Sequence, residues 1–147
     1  MSSHRFLASA CLCGIACRYD GGNVPHPEIE KLHEEGRAIP VCPELLGGLS
    51  APRPPCEILA GRVLNAAGGD DTAAFHAGAA KILDMARELG ITRAVLKDKS
   101  PSCGNRLIYD GSFSGRVVPG MGIAAALLSA NGIEIFPDHD WRGVLIL

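Results

Sequence analysis

From Phe75 onward apolar side chains recur at helical spacing: Phe75, Ala79, Ile82, Leu83, Ala86 and Leu89 fall on one face. Asp71 or Thr72 opens this helix and Gly90 stops it. Elsewhere the apolar positions come in short runs that read as strands: "RFLASAC" (residues 5–11), "AIPVCPE" (38–44), "RAVLK" (93–97) and "IEIFPD" (133–138). "HPEIEKLHEEG" (26–36) reads as a helix, with Pro27 suited to its first turn and Gly36 to its end. A further helix is expected over 121–130, closed by Asn131 and Gly132. Pro52, Pro54 and Pro55 make 47–61 an irregular, stiff loop. The order β-α-β-loop-α-β-loop-α-β predicts an α/β fold, a small mostly parallel sheet flanked by helices in a Rossmann-like three-layer sandwich.

Length and composition narrow this picture. A chain of 147 residues without internal repeat, low-complexity tract or linker is expected to form one domain over 1–147. With 47% hydrophobic residues, 20% charged and a formal net charge of -2, it reads as globular and is no match for a polyanion such as nucleic acid. The start "MSSHRFLASACLCG" lacks the ordered segments of a signal peptide. No stretch reaches the roughly 18 continuous apolar residues of a membrane span. A cytoplasmic protein is the expectation.

Six cysteines then need a reason, because disulfides are rare in the cytosol. Cys11, Cys13, Cys17, Cys42, Cys56 and Cys103 contain no C-x-x-C pair, so no zinc ribbon or thioredoxin-like redox motif is written here. Ligands of open α/β sheets bind at the carboxyl ends of the strands. Cys11, Cys42 and Cys103 each fall at or just beyond such an end and should converge. Three thiolates on separate loops suit a soft metal or an iron–sulfur cluster. Three ligands leave one iron of a cluster open to a substrate. Free cysteine is also readily buried in cores, which is the simpler reading for Cys13 and Cys56. Cys17, six residues after Cys11, could replace it or join it.

The blocks "SACLCGIACRYDGG", "VCPELLGGLSAPRPPCEI", "LKDKSPSCG", "IYDGSFSG" and "GMGIAAALLSANGI" resemble, in order and spacing, those of the thiouracil desulfidase family. The resemblance runs over residues 9–136. It implies an α/β domain that binds a four-iron, four-sulfur cluster through three cysteines and removes sulfur from thiolated pyrimidine bases without net redox change. Carried over, the ligands are Cys11, Cys42 of "CPE" and Cys103 of "SPSCG", with Cys17 in reserve. Cys13 stands where the family pattern commonly has an aliphatic residue. The implied partner is a small thiolated base, not a nucleic acid polymer and not a membrane.

Exchange of C=S for C=O needs an activated water and an acceptor for sulfide. A Lewis-acidic iron with an open position supplies the acceptor. Glu44, two residues past Cys42, is suited to act as general base, and Ser100 to pass a proton or hydrogen-bond the substrate; the resemblance implies the same roles. Arg18 and Asp20 are expected to pair and orient the first loop, and Arg53 to fix the proline loop. Lys97 and Lys99 would offset cluster charge. Tyr109, Asp110 and Phe113 read as a hairpin or turn that covers the base by stacking. Two other classes remain open in the sequence: a cluster- or zinc-binding sensor without turnover, and a thiol enzyme with Cys11 as nucleophile near Arg18. The five histidines form no H-x-x-x-H pair, which disfavours a histidine-based zinc hydrolase.

Overall fold

In a computed structural model that describes residues 5–146, the expected parallel sheet is present. Four strands, β1 (Phe6–Ser9), β2 (Ala38–Val41), β5 (Arg93–Leu96) and β8 (Glu134–Pro137), pair in the order β2-β1-β5-β8, every pair parallel. Parallel strands need crossovers. α1 (Pro27–Glu34) links β1 to β2, and α4 (Ile123–Ala130) precedes β8. The pleat of β1 divides the core: Phe6 and Ala8 face a layer with Ile29 of α1, Trp141 and Val144, and Leu7 faces the layer of Ile82, Leu83, Ala86, Ala125 and Leu128. These are helices on both faces of one sheet.

The long helix α3 (Thr72–Leu89) begins and ends where its apolar stripe does. Gly90 follows it in the left-handed conformation, φ 69°, and its N–H bonds back to the helix. Phe75, at the start of the stripe, packs in a separate small core with Cys56 and Val63.

The segment 47–61 corrects the expected irregular loop. It is preceded by a single-turn helix, α2 (Pro43–Leu46), and its end is β3 (Cys56–Leu59), which forms an antiparallel hairpin with β4 (Arg62–Asn65). The three prolines lie before β3, so they stiffen the approach without depriving the hairpin of its hydrogen bonds. A second hairpin, β6 (Leu107–Tyr109) and β7 (Val117–Pro119), carries the expected turn. All four predicted strands are shorter than their sequence runs, and two are cut off by a helical turn. β1 stops at Ser9 before a 3-10 turn at Ala10–Cys13, and β2 stops at Val41 before α2. Among the described residues no helix is long and apolar enough to cross a membrane.

Two glycines let α2 touch α3 backbone to backbone. A Cβ on Gly78 would lie 1.8 Å from the Pro43 carbonyl oxygen, and one on Gly47 would lie 2.0 Å from that of Ala74. Alanine at a helix interior normally gains about 0.5–1 kcal/mol over glycine. Here the clash dominates, so Gly78→Ala should destabilise the fold by about 1–3 kcal/mol, read as a lower urea midpoint at unchanged m-value.

Candidate functional site

The sheet delivers three cysteines to one edge. Cys11 sits in the 3-10 turn after β1, Cys42 caps α2 directly after β2, and Cys103 follows β5. β1 and β5 are neighbours whose onward connections run to opposite sides, and such a switch point leaves a crevice at the carboxyl ends. A cavity of about 600 Å3 opens there, and Cys11, Cys42, Cys103, Glu44 and Ser100 all line it. All six cysteines are free. Cys13 is buried outside the lining. Cys56 reaches the cavity, but its thiol donates to Asp71 Oδ2 at 3.3 Å. Cys17 also lines the cavity, and its thiol interacts with those of Cys11 and Cys42.

Burial pushes the Cys103 thiol up to about 12. The Cys42 thiol is pushed up further, first by its contact with Cys17 and then by burial. Contact with Cys11, followed by burial, raises Cys17 to about 11, with Cys42 acting the other way. Such thiols stay protonated unless a cationic centre replaces their protons. Among the described residues no three His, Cys, Asp or Glu groups stand close enough to share one metal ion. A mononuclear zinc site gathers its sulfurs about 2.3 Å from a single ion. Thiols spread over three loops around a cavity fit a polynuclear iron–sulfur centre better, because each sulfur then takes its own iron.

Glu44 stands in the first turn of α2, and both of its oxygens are engaged. Oε1 accepts from Arg53 Nε at 2.8 Å and lies 2.8 Å from Nη2, while Oε2 accepts from Ser102 Oγ at 2.9 Å. The Arg53 and Glu44 side chains are 6% and 11% exposed, so the pair is largely withdrawn from water. Arg53 is fixed in turn: its N–H donates to the Tyr19 carbonyl and Nη1 to that of Ser50. Ser102, 1% exposed, has one hydroxyl proton. The carboxylate at 2.9 Å takes it in preference to the Cys103 sulfur at 3.6 Å, because a charged acceptor makes the stronger bond. Ser100 Oγ, 3.0 Å from Ser102 Oγ, therefore donates to it. Ser100 Oγ also accepts the backbone N–H groups of Ser102 and Cys103, which fixes the turn. The result is a directed row of hydroxyls, Ser100 to Ser102 to Glu44.

The rim is cationic and aromatic. Lys97 and Lys99 line the cavity on either side of Asp98. Lys97 Nζ lies 3.6 Å from Asp138, and Arg18 is 3.9 Å from Asp20. Burial would raise the Asp98 carboxyl, but hydrogen bonds from His139 and the Lys99 N–H outweigh it and hold the group below its ordinary value. Tyr109 and Phe113 also line the cavity. Phe113 has φ 55°, a left-handed conformation that costs a non-glycine residue about 1–2 kcal/mol.

Sequence reasoning did not find Ser102, nor the capture of Glu44 by Arg53, nor Glu57, which lines the cavity from β3. "SPSCG" held the signal for Ser102, since a serine next to a candidate ligand is a ready hydrogen-bond donor to the site.

The 2-thiouracil desulfurase family model matches residues 6–140. The uncharacterized protein YbbK of Bacillus subtilis (strain 168) is 41% identical over 149 residues, covering 95% of this chain and 99% of its own. A solved structure of the [4Fe-4S]-dependent thiouracil desulfidase TudS superposes with a TM-score of 0.88 at 41% identity, covering 93% of this chain and 92% of that one.

Removing one partner of a buried ion pair costs about 3–5 kcal/mol. Arg53→Met should destabilise the protein toward the lower end of that range, since Glu44 keeps slight exposure. The double variant Arg53→Met/Glu44→Gln should recover part of the loss, read from urea unfolding of the wild-type protein and both variants.

Proposed function

Because the chain belongs to the 2-thiouracil desulfurase family, we propose that it removes sulfur from thiolated pyrimidine bases such as thiouracil, by hydrolysis, at a four-iron, four-sulfur cluster held by Cys11, Cys42 and Cys103. The observation that carries this reading is the convergence of those three cysteines with Glu44 on one cavity at the carboxyl edge of the sheet. The neighbour TudS is a [4Fe-4S]-dependent thiouracil desulfidase by its title, which supports the same cofactor and substrate here. Six free thiols fit the reducing cytosol as the working compartment.

Bound there, the cluster would supply a Lewis-acidic iron to polarise the thiocarbonyl and accept sulfide. The chain's own residues manage the proton. Glu44 is the general base, and Oε2 is the oxygen that receives the proton because Oε1 is held by Arg53. Glu44 itself lines the cavity, so a water beside it can lose its proton to Oε2 directly, while the Ser102 hydroxyl, set by Ser100, orients that oxygen. The exchange consumes one water and releases one sulfide, with no electrons needed. Arg53 and the backbone donors to Ser100 hold the row in register before substrate enters. Cys17 stays within reach of two ligand thiols and stands in reserve for Cys11.

Single replacement of Cys11, Cys42 or Cys103 by serine should remove most of the bound iron from anaerobically reconstituted protein, whereas Cys13→Ser should keep it. Iron content and visible absorption are the measurements. Loss of iron in Cys17→Ser, with retention in Cys11→Ser, would move the ligand to Cys17. Colourless protein that binds only zinc would favour a sensor.

Glu44→Gln should retain the cluster colour and lose about 100-fold or more in sulfide release, the scale of general-base catalysis. In oxygen-18 water, without reductant, the wild-type protein should give labelled uracil and free sulfide. A requirement for an electron donor would exclude the hydrolytic route.

A further inference from the structure

The turn between β6 and β7 is held from outside its own hairpin. Glu57, in the middle of β3, is 9% exposed, and its Oε1 accepts the backbone N–H of Gly111 at 2.9 Å and of Phe113 at 3.1 Å. Gly111 presses so closely on β3 that a Cβ there would meet Leu59 Cβ at 2.8 Å and the Ile58 carbonyl oxygen at 2.9 Å. Asp110 Oδ1 adds a local bond, accepting the Ser112 N–H at 2.9 Å. Phe113 is thus kept in its left-handed conformation, and its side chain reaches the cavity while the residue remains 41% exposed. A strained backbone carrying a half-exposed phenyl ring at a cavity mouth gains nothing for the core. The arrangement presents a flat apolar face to whatever enters.

We propose that Glu57 is a positioning residue for substrate recognition: its carboxylate latches the β6–β7 turn onto β3 and so holds Phe113 as the stacking face for the thiolated base. This rests on the desulfidase reading above. Stacking acts on the ring and is indifferent to the exchange of sulfur for oxygen, so it binds ground state and transition state alike. Loss of uniform binding raises KM and spares kcat.

The test uses reconstituted holoenzyme with 2-thiouracil as substrate, and calorimetric titration with uracil, whose binding needs no turnover. Glu57→Ala and Phe113→Leu should each raise KM and the uracil Kd about tenfold, the equivalent of about 1.4 kcal/mol, with kcat within about twofold of wild type. Their double variant should be no worse than either alone, because the latch acts through the ring. Glu57→Gln should restore wild-type KM, since its amide oxygen can accept both N–H groups. If Glu57→Gln behaves like Glu57→Ala, the charge itself serves the substrate and the latch is wrong. Unchanged KM in Phe113→Leu overturns it as well. Wild-type protein that releases no sulfide from 2-thiouracil removes the desulfidase reading, and the latch falls with it.

Discussion

A carboxylate withdrawn from water in a cavity lined by five cysteines is the constraint on which the carboxyl edge of the sheet depends. Glu44 cannot stay there ionised without a partner, because an unpaired buried charge is strongly destabilising. Arg53 supplies the partner and reaches it from the proline-rich segment, with its own N–H anchored on Tyr19. One ion pair therefore ties together the loop after β1, the helix after β2 and the approach to the β3–β4 hairpin. Ser102 extends the tie to the loop after β5. Four of the segments around the cavity are held to one another by polar contacts that a core of leucines could not have aimed.

Glu44 is itself placed by the fit of α2 on α3. The helix is a single turn, too short to hold its position by its own hydrogen bonds, and it rests on α3 where Gly47 and Gly78 bring the backbones together. Packing fixes the backbone, the backbone fixes the carboxylate, and the carboxylate orients the hydroxyl row. Each link has a different physical origin.

The sheet and the long helix were legible because their signals are local: apolar runs for β1, β2, β5 and β8, and a stripe from Phe75 to Leu89 with Gly90 behind it. The placement of Cys11, Cys42 and Cys103 beyond strand ends followed from the same runs and a general rule about parallel sheets. Three prolines in one short stretch hid β3, since they outweigh the signal of four strand residues. Ser102 meets Glu44 across 58 positions and Glu57 meets Gly111 across 54, separations at which no periodicity reports. The side chains that orient the site were thus the ones hardest to read, although "SPSCG" and "CPE" showed where to look.

Cys11, Cys42 and Cys103 are drawn from far-apart stretches of the chain, with no short chelating pair among them. An unfolded chain holds such thiols far apart, so they come together only once parallel strands distant in sequence have found each other, which is a slow event in folding. Zinc fingers reverse that order, their metal completing a fold that does not exist without it. Here the three cysteines are part of the apolar layers themselves: Cys11 packs with Phe6 and Ile29, with Cys42 against that layer, and Cys103 packs with Leu7 and Ile82. The packing that closes the sheet is thus the same packing that gathers the thiols, and the cavity edge takes its shape from the core rather than from a bound ion.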